Sequence, residues 1–232
     1  MTPHVLVEAC IETATQAAAA ASAGADRVEL CRRLDVGGLT PGLADIVAAR
    51  SVLSIPLHVL IRPREGTFVC SAAELEQMVA EIGAARAAGA DGVVIGALTA
   101  GGAIDRPAMQ RLVETARPLS VTFHRAFDEI ADQPTALAGL MSLGVDRVLT
   151  AGRMSTALAG AAQLRRLVEA AAGRIVVMAG GSVRPENVLE LVRLSGVTEV
   201  HARMDDDPGR AGALKRALRE TGQRRVDSGE LR

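Results

Sequence analysis

Of the four histidines in this 232-residue chain, His58, His124 and His201 interrupt apolar runs. Two glutamates do the same, Glu8 within Leu6-Val7-Glu8-Ala9-Cys10 and Glu29 within Val28-Glu29-Leu30-Cys31. Arg62 follows His58, and Asp128 follows His124, in each case on the same stretch. An imidazole beside a carboxylate is the pairing that general acid–base chemistry uses, because the carboxylate moves the proton affinity of the ring toward the working pH. A guanidinium adds a fork for a carboxylate or phosphate. The candidate pocket is therefore Glu8, Glu29, His58, Arg62, His124, Asp128 and His201. His124 or His201 would move the proton, Glu8 or Glu29 would be its partner, and Arg62 would clamp an anion. The same residue types could equally satisfy one another as a buried ion-pair network.

Cys10 and Cys31 each stand two residues after one of the glutamates. On neighbouring strands their thiols would sit at similar heights, and two soft donors suit Cu(I) or Zn(II). Each would also serve as a small buried hydrophobe. There is no C-x-x-C spacing, and Cys70 lies outside the pattern. A candidate anion site is the run Met178-Ala179-Gly180-Gly181-Ser182-Val183-Arg184-Pro185, read as a strand end, a glycine pair and a helix start. Backbone N–H groups there could hold a phosphate. Gly152 in Thr150-Ala151-Gly152-Arg153 offers a similar loop. Both could instead be tight turns that need glycine.

Composition excludes several alternatives. A net charge of −1 gives no basic footprint for nucleic acid or a membrane surface. Three Phe, no Trp and no Tyr leave no stacking platform for bases or sugars. The only lysine, Lys215, is far from any expected strand, so a Schiff base on a strand end is excluded. No G-x-S-x-G occurs. Neither a leader pattern nor an apolar run of membrane-spanning length is read, so a reduced cytoplasmic protein is expected.

These residues need elements to position them. An echo marks those elements: Ala23-Gly24-Ala25-Asp26-Arg27-Val28, Ala88-Gly89-Ala90-Asp91-Gly92-Val93 and Leu143-Gly144-Val145-Asp146-Arg147-Val148, with a weaker copy at Ser195-Gly196-Val197-Thr198-Glu199-Val200. Each reads as a helix ending at a glycine of positive φ, a short turn and a buried strand. Further strands are expected over Val5–Cys10, Leu57–Arg62, Val121–Phe127 and Ile175–Ala179. Helices are expected over Thr13–Ala23, Pro41–Arg50, Ala72–Ala88, Arg106–Ala116, Gln133–Leu143, Ala157–Ala171, Pro185–Ser195 and Ala211–Glu220. Eight alternating strand–helix units predict an α/β fold, a single (β/α)8 barrel over residues 1–222 with a frayed tail at 223–232. An open doubly wound sheet is the alternative, disfavoured because no G-x-G-x-x-G follows the first strand. In the barrel, charged strand residues would point into the lumen and form a polar ring at its upper end. The alanine-rich stretches Gln16–Ala21 and Ala157–Ala162 could pack closely against a second copy, as in a homo-oligomer.

The chain resembles the CutC family, named for copper homeostasis. The resemblance rests on Glu8-Ala9-Cys10, on Gly24 to Cys31, on Gly37-Gly38-Leu39-Thr40-Pro41, on Ile61-Arg62-Pro63-Arg64, on Val121-Thr122-Phe123-His124-Arg125-Ala126-Phe127-Asp128, on Val148-Leu149-Thr150, on Met178-Ala179-Gly180 and on Glu199-Val200-His201. These run in order over about residues 5–203. The resemblance implies a (β/α)8 barrel in the cytoplasm, a link to copper, and a copper-binding role for Cys10 and Cys31. It also implies a pocket built from Glu8, Glu29, Arg62, His124, Asp128 and His201. The sequence departs from the family pattern after His201, where Arg203-Met204-Asp205-Asp206-Asp207 runs directly into the last helix. Two ligand classes follow: a metal ion, Cu(I) above all, or a small anionic or phosphorylated metabolite handled by a barrel enzyme.

Overall fold

The computed structural model describes residues 5–204, 207 and 209–223. Eight parallel strands close into a barrel in chain order. They are β1 (Leu6–Ile11), β2 (Arg27–Leu30), β3 (Leu57–Leu60), β4 (Gly92–Ile95), β5 (Ser120–Phe123), β6 (Arg147–Thr150), β7 (Val176–Gly180) and β8 (Glu199–Arg203). The helices between them are α1 (Ala14–Ser22), α2 (Leu43–Val52), α3 (Ala72–Ala87), α4 (Arg106–Ala116), α5 (Gln133–Ser142), α6 (Ala161–Ala171), α7 (Val188–Ser195) and α8 (Arg210–Gln223). The open sheet is thereby excluded. The expected tail beyond Gln223, and Asp205 and Asp206, lie outside the described residues.

The outer layer has a simple basis. Every strand carries a buried valine facing the helices: Val7, Val28, Val59, Val93, Val121, Val148, Val177 and Val200. β-Branched side chains fit a pleated surface. The helices meet them with alanine and leucine, such as Ala17 and Ala20 of α1 and Leu164 and Leu167 of α6. Side-chain caps start several helices, including Thr13 at α1, the Ser71–Glu74 capping box at α3, and Asp105 and Asp132 at α4 and α5.

The echo has a clear structural meaning. Gly24, Gly89, Gly144 and Gly196 all have positive φ and close the preceding helix. In the first three copies the aspartate two residues later reaches back to the previous strand. Asp26 accepts the Val7 N–H at 2.7 Å, Asp91 that of Leu57 at 2.8 Å and Asp146 that of Val121 at 2.7 Å. Each aspartate also meets one cation: Lys215, Arg50 or Arg117.

Inside the barrel the strand register sorts inward side chains into tiers of four, drawn from alternate strands. From the N-terminal end, the first holds Arg27, Gly92, Arg147 and Glu199. The second holds Glu8, His58, Thr122 and Met178, the third Glu29, Val94, Leu149 and His201, and the fourth Cys10, Leu60, His124 and Gly180. A Cβ at Gly92 would overlap the His58 ring, so glycine there makes room for it.

Some boundaries differ from expectation. β5 stops at Phe123, because the His124 ring caps a 3-10 turn over Arg125–Glu129. β3 stops at Leu60, short of Arg62. α6 begins at Ala161, since Ala157 N–H is committed to the Gly181 carbonyl at 2.9 Å. The segment 157–160 is therefore a turn rather than a helix surface. α7 begins at Val188, not Pro185. No described helix is long and apolar enough to cross a membrane.

Candidate functional site

The lumen carries polar groups in every tier, and it divides into two parts. The first two tiers form a closed plug. Arg27 pairs with Glu8 and, at 2.6 Å, with Glu199. Arg147 binds Glu199 at 2.6 Å and 3.2 Å and reaches Ser120 and Thr122. His58 Nδ1 lies 3.9 Å from Glu8. Burial alone would raise the Glu8 pKa, yet Arg27, with His201 and His58, holds it well below the usual carboxylate range. Burial pushes His58 down to about 4, so the ring is neutral at physiological pH.

Above the plug a cavity of about 500 Å³ opens at the C-terminal ends of the strands. That is where barrels of this kind carry their working residues. Its floor is made by Glu29 and His201 of the third tier and Cys10 and His124 of the fourth. His201 Nδ1 is 2.7 Å from Glu8 Oε1 and 3.9 Å from Glu29 Oε2, so it bridges plug and cavity. Burial opposes the charged ring, but Glu29 and Glu8 together raise its pKa. Burial is also the main influence on Glu29, raised to about 7, with His201 opposing and Glu8 adding to it. Burial, reinforced by Arg62, pushes His124 down to about 3. The walls are apolar (Leu34, Leu60, Val94, Leu149), and Arg62, Arg125, Arg184 and Arg203 stand around the opening.

Cys10 and Cys31 do meet: their sulfurs are 3.8 Å apart, and Cys10 Sγ is 3.5 Å from Glu29 Oε1. Cys31 is fully buried behind Cys10, 3.6 Å from the Ile11 carbonyl. The hydrogen bond with Cys31, then burial, pushes the Cys10 thiol well above its ordinary range. Cys10, Glu29 and Cys31 bring three potential metal-ligand atoms within 4.8 Å of one another, and Glu8, Glu29 and His201 form a second such group.

The other expected site residues divide between the cavity lining, the plug and the surrounding loops. His58 belongs to the plug and does not line the cavity. Asp128 sits above the barrel as a loop fastener, accepting from Thr150 Oγ1 at 2.5 Å, from the Ala151 and Arg153 amides and from Arg125. Arg62 stands at the rim, its Nη atoms held by the Val36, Gly38 and Gly66 carbonyls and its plane 4.8 Å from the Phe68 ring. Of the candidate anion loop, Gly181 and Ser182 line the cavity, whereas Gly180 is strand, packed under Leu149. No helix N-terminus backs them, since Asn187 Oδ1 takes the Arg184 N–H and α7 starts after it. Gly152 lies in a separate outer depression, its N–H bonded to Thr150. Sequence reasoning missed the plug residues Arg27, Arg147 and Glu199. The period of two already hinted at them, because Arg27 and Glu199 stand two residues before Glu29 and His201.

The fold and site define a (β/α)8 barrel whose C-terminal mouth combines a buried dithiol, a glutamate–histidine floor and an arginine rim. The CutC family model matches residues 5–205, and the chain belongs to that family. It is 46% identical over 206 residues to the human copper homeostasis protein cutC homolog, covering 88% of this chain and 76% of the human one. It is 43% identical over 236 residues to a Caulobacter vibrioides family protein CutC, covering 97% and 96%. A crystal structure of CutC from Streptococcus agalactiae superposes with a TM-score of 0.82 at 36% identity, covering 85% of this chain and 97% of that one.

Proposed function

We propose that the chain captures Cu(I) between Cys10 and Cys31, with Glu29 as a neighbouring oxygen donor. The observation that carries this is the 3.8 Å separation of two buried sulfurs on adjacent strands. Soft sulfur donors select Cu(I) over the hard cations. A bound cation would also offset the thiolate charge that burial opposes, and loading would release protons. Copper is cargo here. The thiols need a reducing compartment to stay available, which accords with a cytoplasmic location. Four guanidiniums around the mouth oppose a bare cation, so the ion would have to arrive within a neutral or anionic complex. Anaerobic titration of the reduced protein against a competing Cu(I) chelator tests the proposal. One tightly bound equivalent is expected, lost in the Cys10→Ser/Cys31→Ser double variant. Equal binding by that variant would sink it.

The cavity favours a second reading, that of a barrel enzyme or receptor for a small anionic or phosphorylated metabolite. A volume of about 500 Å³ far exceeds what one ion needs and suits a small organic ligand. Among the charged side chains lining it, four are arginines and one is a glutamate.

A further inference from the structure

We infer that the cavity takes a small acyclic oxyanion carrying a carbonyl or hydroxyl group, and that a neutral His124 donates its Nε2–H to an oxygen of that ligand. The inference rests on the second reading above and adds the ligand class and the recognising atom.

The orientation of the proton on His124 follows from its neighbours. Nδ1 accepts the Ala126 N–H at 3.2 Å, so a lone pair must lie there. In a neutral ring the proton is then on Nε2. Burial and the nearby Arg62 keep the ring neutral. Nε2 is buried, belongs to a side chain that lines the cavity and has no hydrogen-bond partner among the described residues. Leaving a buried donor unpaired carries a desolvation penalty that a ligand acceptor would remove. Glu29 Oε2 is a second unpartnered buried atom, on a residue that lines the same cavity; it accepts when the carboxyl is ionised and can donate when it is protonated. His124, just after β5, and Glu29 on β2 stand well apart around the barrel, so one ligand touching both must extend across the floor.

Charge and shape define the rest of the ligand. Arg62, Arg125, Arg184 and Arg203 line the cavity, Arg125 also meeting Asp128 at 2.8 Å, and an anionic end group suits this arginine-rich lining. The one phenyl ring on the wall, Phe68, already has the Arg62 guanidinium at 4.8 Å and the His124 ring at 4.8 Å. A base or sugar ring would have to share that phenyl with both groups, which favours an acyclic chain. Carboxylate and phosphate share this chemistry.

Isothermal titration of the metal-free, reduced protein tests the inference, with glycerate, glycerol 3-phosphate and 3-phosphoglycerate as probes and glycerol as the neutral control. One oxyanion is expected to bind per chain, and glycerol not at all. Comparing glycerate with glycerol 3-phosphate tells carboxylate from phosphate. His124→Asn keeps an acceptor for the Ala126 N–H but lacks the Nε2–H, and should weaken binding by about tenfold or more. In the wild-type protein, 15N-labelled imidazole spectra should place the proton on Nε2 before and after addition, with the Nε2–H resonance shifted by the oxyanion. If no oxyanion binds at ~10 mM, the small-anion reading falls and this inference with it. If one binds, but His124→Asn binds it equally and the Nε2–H resonance does not move, the role of His124 alone is overturned.

Discussion

Glu8 and Glu29 are both enclosed carboxylates one tier apart, and their pKa values move in opposite directions. Glu8 has a guanidinium against it and stays ionised; Glu29 has the Cys10 thiol and the shared His201 ring but no guanidinium in contact, and burial raises it to about 7. The imidazoles follow the same logic. His58 faces Glu8 on β1, which favours its charged form, and Arg27 on β2, Arg147 on β6 and the more distant Asp91 before β4. Burial dominates and sets its pKa at about 4, below an unfolded value near 6.5. A depressed pKa means that His58 contributes stability that is present above pH 6.5 and lost as pH falls through about 4. The shift corresponds to roughly 3 kcal/mol at most. His58→Leu should therefore flatten this acid limb, read as urea-unfolding free energies at pH 7 and pH 4.5. An unchanged slope would show that the ring is not buried neutral. Strand periodicity made Glu8, Glu29, His124, His201 and the cysteines legible, because each interrupts an apolar run. Arg27, Arg147 and Glu199 were not, because they stand at strand starts beside Asp26, Asp146 and Thr198, where charge reads as turn. Only the closed register turns them inward.

At the scale of the elements, the repeated glycine–aspartate turn is the device that joins one strand–helix unit to the next. In the third copy Asp146 accepts the Val121 N–H at 2.7 Å and takes Arg117 at 2.9 Å. Asp146→Ala leaves the first amide of the β5 core without that acceptor, and should cost about 1–2 kcal/mol in urea unfolding. The exposed pair Arg111–Glu76 is the control: Glu76→Ala should cost less than Asp146→Ala, as exposed pairs do. Equal costs would mean that Asp146 acts only as a surface charge. The echo was readable as helix end, turn and strand because glycine at positive φ and a following apolar run are local signals. Element ends near the mouth were less readable. β5 ends where the His124 ring turns back onto Ala126 N–H, and α6 starts late because Gly181 claims the Ala157 amide. The first is a local bond that an apolar run conceals, and the second depends on segments brought together by closure. The Asp128 role as loop fastener was hidden for the same reason, since its partners come from β6 and the loop after it.

Across the whole molecule, ion pairing and ligand chemistry occupy opposite ends of one lumen. The chain carries a net charge of only −1, so its overall field steers nothing. What matters is the placement: the plug compensates its charges internally, and the cavity above it is lined by four arginines, one of them paired with Asp128, and by Glu29. A barrel divided in this way should show independent responses to changes at its two ends. Glu199 is buried and accepts from both Arg27 and Arg147, so Glu199→Gln leaves two guanidiniums short of their shared counter-charge. A broken buried pair of this kind costs about 3–5 kcal/mol. Because no wall of the cavity includes Glu199, oxyanion affinity in the folded variant should stay within about twofold of wild type. Arg184 is the converse case. It lines the cavity, with a guanidinium nitrogen on the adjacent Val183 carbonyl, and Arg184→Gln should cost less stability than Glu199→Gln. The same variant should weaken oxyanion binding and flatten its dependence on ionic strength, because one source of the attraction that salt screens is gone. Urea unfolding and calorimetric titration at two salt concentrations, applied to both variants, decide the matter. Loss of binding in a folded Glu199→Gln protein would mean that plug and mouth act as one unit through His201, the residue that touches Glu8 below and Glu29 above.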